Sequence, residues 1–180
     1  MKKKLVVIAN NIRSALNVGS IFRICDASGV TKLYLTGYTP FPRVANDKRL
    51  CFEIEKTEQK IKKAGLEGFN ISFEHIENIF ILIQKLKEDK YKIIALEQNK
   101  NSTSIYDYKV EQNTAIIIGN EVTGVEKDVL NICDDTIEIP MYGKGKSLNV
   151  AISLAIMLYI TKGQTYGPAC ACLRSQAVRV

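Results

Sequence analysis

Histidine is nearly absent from this chain and zinc-type cysteine spacing is missing, which removes several kinds of chemistry at once. The only histidine is His75, and the five cysteines (Cys25, Cys51, Cys133, Cys170, Cys172) are irregularly spaced with no Cys-x-x-Cys pair. A metal site is therefore not expected; Cys170-Ala-Cys172 has two thiols but no partner ligands. Ser–His or Cys–His nucleophilic catalysis is not expected either, unless His75 lies in a cleft. Reduced, buried thiols in a cytoplasm are the default reading. No run is long enough or apolar enough to span a membrane. The basic start Met1-Lys2-Lys3-Lys4 leads into Leu5-Val6-Val7-Ile8, but this run stops at Asn10-Asn11, too short for a signal-peptide core. There is no Gly-x-Gly-x-x-Gly fingerprint to favour a dinucleotide fold. Internal repeats and linkers are missing too, so 180 residues read as one domain.

What is present is a hydrophobic share of 46%, enough to bury a core, and a net charge of +6 that suits a polyanionic partner without proving one. Apolar β-branched runs alternate with helical spacing. Strands are expected at 5–9, 32–35, 70–73, 92–96, 116–118 and 137–141. Helices are expected at 17–28, 54–64, 76–88 and 148–162, with a short one after Gly124. Val18, Ile21, Phe22 and Cys25 form the inner face of the first helix, and Gly29 closes it. Ile79, Phe80, Ile83 and Leu86 are expected inward on the third. Lys56, Lys60 and Lys63 make one basic stripe on the second, either a solvated face or an RNA track. The last long helix is apolar on nearly every side, so it is buried in its own core or in an oligomer interface. Alternating strands and helices predict an α/β fold, mostly parallel, with helices on both faces. The segment 163–180 loses periodicity and is expected to be a disordered tail.

Two polar loops stand where an open parallel sheet binds ligands, at the carboxyl ends of core strands. One is Gly119-Asn120-Glu121-Val122-Thr123-Gly124 after Ile116–Ile118. The other, Tyr142-Gly143-Lys144-Gly145-Lys146, follows Ile139-Pro140-Met141 and leads to Ser147-Leu148-Asn149. Early in the chain, Asn17-Val18-Gly19-Ser20-Ile21-Phe22-Arg23 places an arginine one turn beyond small residues, where its guanidinium has open space.

These three segments, in this order, resemble the three motifs of the SpoU/TrmH branch of the SPOUT RNA methyltransferases, and the resemblance covers about residues 4–162. It implies a single SPOUT domain over 1–162 with a C-terminal deep trefoil knot, and a homodimer. It also implies methyl transfer from S-adenosylmethionine to a ribose 2′-hydroxyl of RNA; a short chain without a separate RNA-binding domain suits tRNA as the substrate, with rRNA the nearest rival. A catalytically silent knotted RNA-binding protein and a nucleotide-binding module without RNA are the alternatives. By the resemblance, Leu96, Gly119, Ile139, Ser147 and Leu148 contact the cofactor, mostly through backbone atoms. The glycines at 119, 124, 143 and 145 would let backbone segments pass close together.

Arg23 is placed at the reacting centre, facing the glycine-lined hollow from its own chain or from a dimer mate. It acts either as a base or, since a guanidinium is almost never neutral, as a charged clamp on phosphate and developing alkoxide. Asn17, Glu121 and Asn149 complete the catalytic set. Glu121 would fix Arg23 or the knot backbone, or be a helix-start acid, and Asn149 and Ser147 compete with an N-cap role. RNA contacts are expected from Arg13, Arg43, Lys48, Arg49, Lys144 and Lys146. Tyr38 or Phe41, in the turn-rich 36–42 segment, could stack on an unpaired base.

Overall fold

The computed structural model describes residues 3–66 and 71–166. Seven strands form one sheet: β1 Leu5–Asn10, β2 Lys32–Thr36, β3 Phe73–Ile76, β4 Lys92–Leu96, β5 Thr103–Ser104, β6 Thr114–Ile118 and β7 Asp135–Glu138. Their spatial order is β3-β2-β1-β6-β4-β7-β5, and every pairing is parallel. The helices are α1 Ala15–Ala27, α2 Cys51–Ile61, α3 Ile79–Glu88, α4 Lys127–Leu130 and α5 Val150–Tyr166.

The β-branched runs make strands buried on both faces, and side-chain alternation sorts each run between two cores. Leu5, Val7 and Ala9 of β1, with Ile116 and Ile118 of β6, meet α1 and α5. Val6, Ile8, Ala115 and Ile117 point the other way, toward α3 and α4.

Several elements differ from the sequence expectation. The third strand lies at Phe73–Ile76, because pairing of Leu33–Thr36 with Phe73–Ile76 sets its register. Helix α3 starts later than expected, at Ile79, where the Asn78 carbonyl oxygen accepts the Phe80 and Ile81 N–H groups. This start puts Ile79, Leu82, Ile83 and Leu86 inward and leaves Phe80 44% exposed, so Leu82 takes the place expected for Phe80. Helix α2 ends at Ile61 and continues as one wide π turn over Lys62–Leu66. The segment after β4, read as turns only, contains β5, which pairs with β7 at the sheet edge.

Helix α5 runs to Tyr166, past the expected end at Lys162. The rest of the expected tail, 167–180, lies outside the described residues. Ala151, Leu154, Met157 and Leu158 are buried, but Ile152 and Tyr159 are 53% and 58% exposed, so one side of α5 is uncovered. Among the described residues no helix is long and apolar enough to cross a membrane.

Candidate active site

The carboxyl ends of β4, β6 and β7, three neighbouring strands, release their loops to the same side. Together with the turn into α5 these loops enclose a cleft of about 260 Å³. Leu96, Glu97 and Gln98 line it from β4, Ile118 to Val122 and Gly124 from β6, and Glu138, Ile139 and Met141 from β7. Ser147 to Val150 and Ser153 close the remaining side.

Glycine is required at the crossing of these loops. A Cβ on Gly119 would sit 2.4 Å from the backbone carbonyl of Gly124, and Gly124 itself has φ +69°. Asn120 and Gly124 exchange backbone hydrogen bonds across this turn, and Glu97 accepts the N–H of Val125 at 2.8 Å. The expectation that Gly143 and Gly145 serve a similar close approach is not met. Nothing lies within 4 Å of a Cβ on Gly143, and a Cβ on Gly145 would meet only the Met141 methyl, at 3.9 Å.

All five residues expected at the cofactor line this cleft, as do Glu121 and Asn149 of the expected catalytic set. The loop before α1 is tied to them through Glu121. Its carboxylate accepts the backbone N–H groups of Arg13 at 2.8 Å and Ser14 at 3.0 Å, and the Asn17 amide N–H at 2.8 Å. Burial pushes the Glu121 carboxyl up, but these donors from Arg13, Asn17 and Ser14 outweigh it and hold it below the usual carboxylate range. The Asn149 amide donates to the Asn17 carbonyl oxygen at 3.1 Å, while its own carbonyl oxygen caps α5 at the N–H of Ala151. Glu121, Asn17 and Asn149, from three distant parts of the chain, form one hydrogen-bonded chain at the cleft rim. Asn149 thus both lines the cleft and caps α5. Ser147 is exposed and makes no hydrogen bond among the described residues.

Arg23 departs from the expectation of an arginine facing the hollow of its own chain. It is not part of the cleft lining, and it makes no hydrogen bond or ion pair among the described residues. It sits exposed on the outer face of α1, two turns from Leu16, which is 51% exposed. Glu121, expected to fix Arg23 or the knot backbone or to serve as a helix-start acid, makes its side-chain hydrogen bonds with Asn17 and the Arg13–Ser14 backbone, not with Arg23. Gly19 is structural: a Cβ there would meet the Ile61 carbonyl oxygen at 2.4 Å and the Ala64 Cβ at 2.7 Å, so its absence lets α1 lie against the end of α2.

Of the residues expected to reach RNA, Arg13, Arg43, Lys48, Lys144 and Lys146 are exposed. Arg49 is not free to do so. It donates to Asp47 through Nε and Nη2, and to the carbonyls of Phe41 and Pro42. The Arg49 hydrogen bond is also what holds the Asp47 carboxyl far below its usual range. Phe41 is likewise committed: its ring stacks on His75 at 3.8 Å and carries the Arg49 guanidinium at 3.6 Å, so both faces are covered. His75 braces this loop rather than entering the cleft, its Nε2 lying 3.1 Å from the Gly37 carbonyl.

Sequence reading missed Asn11, Asn120, Glu97 and Glu138. Asn120 was visible only as part of the turn, yet its amide donates to the Asn11 carbonyl and the Tyr38 hydroxyl, and its carbonyl oxygen accepts the N–H groups of Val122 and Thr123. The Asn10-Asn11 doublet at a strand end was the available signal for Asn11, which adopts φ +53°.

The charged residues of the lining are Glu97, Glu121 and Glu138, with no basic side chain among them. Apolar walls from Leu96, Ile118, Ile139 and Leu148, accessible main chain, and carboxylates only would suit a ligand with a flat apolar part and a cationic part. A polyanion would be held outside, at the rim.

The sequence matches the SpoU rRNA methylase family over residues 4–159. Among its relatives is the tRNA (guanosine(18)-2′-O)-methyltransferase of Aquifex aeolicus, 31% identical over 166 residues, spanning 91% of this chain and 71% of that protein. A TrmH family relative from Staphylococcus epidermidis is 29% identical over 154 residues, and the chain spans only 56% of its length. Among solved structures, the A. aeolicus TrmH/SpoU tRNA modifying enzyme superposes with a TM-score of 0.69 at 28% identity, covering 91% of this chain and 76% of that one. The SpoU methyltransferase AviRb from Streptomyces viridochromogenes, in complex with AdoMet, shares the fold with a TM-score of 0.69 at 21% identity, covering 93% of this chain and 63% of that one.

Proposed function

Because the chain belongs to the SpoU rRNA methylase family, we propose that it transfers a methyl group from S-adenosylmethionine to a ribose 2′-hydroxyl of RNA, with tRNA as the substrate. The observation that carries this reading is the hydrogen-bonded chain Glu121–Asn17–Asn149 at the rim of the strand-end cleft. It joins three distant segments around one hollow, as a bimolecular transfer between two held reactants requires. The Aquifex relative, which acts on tRNA by its name, favours tRNA over ribosomal RNA.

The cofactor fits the cleft by its chemistry: apolar walls for a base, main-chain groups at Gly119 and Ile139, and carboxylates compatible with a sulfonium. Leu96, Gly119, Ile139, Ser147 and Leu148 would hold it. What it supplies is an electrophilic methyl group with a good leaving group. The protein has to bring a ribose oxygen into line and manage its proton. Asn17, fixed between Glu121 and Asn149, presents a side chain whose orientation is set before RNA arrives. The guanidinium of Arg23 clamps an RNA phosphate and stabilises negative charge developing on the 2′-oxygen. Arg13, Lys144 and Lys146 around the rim hold the RNA backbone, in a salt-sensitive way.

Arg23 cannot do this from its observed place in its own chain, so the working form is a homodimer in which each cleft receives the arginine of the partner. Support comes from the outer surfaces of α1 and α5. These helices pack side by side, and Leu16 on α1 and Ile152 and Tyr159 on α5 are large apolar residues left exposed. The knot belongs to the same reading. The 97–108 segment closes over β7 through hydrogen bonds from Glu97 N–H to the Ile137 carbonyl, Ser102 to Glu138, and Ile105 N–H to the Glu138 carbonyl. The chain leaving β7 toward α5 would pass beneath that segment. The domain spans 1–162 plus the remainder of α5, and the protein works in the cytoplasm, where tRNA is available.

The test is transfer of a radiolabelled methyl group to tRNA and rRNA by the purified protein. Wild type is expected to label tRNA at a ribose, and Arg23→Ala to lose at least about a hundredfold in rate while binding S-adenosylmethionine with unchanged affinity. Label on a base, or equal activity of the two proteins, would overturn the reading.

A further inference from the structure

Tyr38 is an aromatic ring held rigidly in solvent beside the cleft. The residue is 62% exposed, yet its hydroxyl accepts the Asn120 amide at 2.7 Å and its backbone N–H donates to the Asn11 side-chain oxygen at 3.2 Å. Asn11 is itself anchored by donating to Glu126 at 2.8 Å. The residue before it, Gly37, has φ +62°, and a Cβ there would fall 1.9 Å from the Asn11 carbonyl oxygen. Two left-handed residues, Asn11 and Gly37, therefore shape the backbone at this position. Asn120 lines the cleft, so Tyr38 stands one hydrogen bond from the proposed transfer site. Of the aromatic side chains in this loop, Phe41 has both faces covered by His75 and Arg49, which leaves Tyr38 as the ring with an accessible face.

Leaving so much aromatic surface in water forgoes burial, and pinning both ends of the residue removes the freedom that solvent exposure would otherwise give it. Such a ring is preorganised to take a flat partner. Resting on the proposed RNA methylation, we propose that Tyr38 is the stacking platform for an unpaired base next to the modified ribose, and that the substrate therefore presents a single-stranded loop or bulge, not a continuous duplex. Its hydroxyl, bonded to Asn120, positions the ring against the cleft rim, while the stacking itself needs only the ring.

Three substitutions test this. Tyr38→Ala is expected to raise KM for tRNA about tenfold or more, leaving S-adenosylmethionine affinity and kcat at saturating RNA near wild type. Tyr38→Phe keeps the ring and is expected to stay within about threefold of wild type in KM. Because the chain contains no tryptophan, Tyr38→Trp introduces a single indole whose emission should be quenched by tRNA transcripts without methyl donor, and much less by fully paired RNA. This readout does not depend on turnover, so absence of methyl transfer by the wild type would defeat the proposed reaction while leaving the stacking measurable. Wild-type KM in Tyr38→Ala, equal damage in Tyr38→Phe and Tyr38→Ala, or an emission unaffected by bound tRNA would each overturn the proposal.

Discussion

Glu121 is one exposed carboxylate that ties the loop before α1 to the cleft rim. Its donors come from a loop more than a hundred residues earlier, and its folded-state pKa lies below the ordinary value for Glu. A depressed carboxylate pKa contributes stability that is fully present above the unfolded value, about 4.3, and is lost as pH falls through the lower folded value. Glu121→Gln should therefore cost about 1 kcal/mol at pH 7, the modest figure reflecting exposure. In acid, below the ordinary carboxylate range, variant and wild type should converge. Urea midpoints at the two pH values check this, and a gap that persists in acid would refute it. Thiols are sorted equally clearly by position: burial pushes Cys133 up to about 11 and Cys25 higher still. Cys51 is exposed. Peptide mapping after brief alkylation of the native protein should find Cys51 modified and Cys25 protected.

At the scale of elements, glycines do different work in segments that look alike in sequence. Gly19 and Gly119 stand where backbone meets backbone, whereas Gly143 and Gly145 stand in open space. Gly19→Ala would push α1 from the end of α2 and should destabilise the fold by about 1–3 kcal/mol. Gly143→Ala should change the denaturation midpoint by less than about 0.5 kcal/mol. Equal midpoints for the two variants would refute this contrast. The strands and α1 were legible because β-branched runs and 3.6-residue spacing are local properties. The starts of β3 and α3 were not, since strand pairing in one case and the Asn78 cap in the other chose among registers that the apolar pattern left open. The same holds for Arg49 and Phe41, which are committed to Asp47 and His75, partners that no local pattern announces.

For the whole molecule, the uncovered side of α5 and the outward Arg23 raise the same question of a partner. If the arginine acts across a dimer, mixing Arg23→Ala chains with chains whose cleft is blocked by Leu148→Trp should restore about a quarter of wild-type activity, because half the dimers then hold one complete site. Each variant alone should be inactive, and no recovery on mixing would place Arg23 in its own chain's cleft. Ile152→Asp should shift the sedimentation coefficient toward that of a monomer while leaving cofactor affinity unchanged.

Residue order alone determined the parallel α/β character and the three motifs, because these are written in local runs and short spacings, and the likeness of those motifs to the SpoU/TrmH family is what pointed to the five residues that line the cleft beside Glu121 and Asn149. Only the tertiary structure decided which of these side chains meet. Asn17 joins Glu121 to Asn149 and Tyr38 is pinned to Asn120, whereas Arg23 is exposed and outside the cleft lining. Contacts between residues a hundred positions apart depend on strand order and helix packing, and no local pattern encodes those.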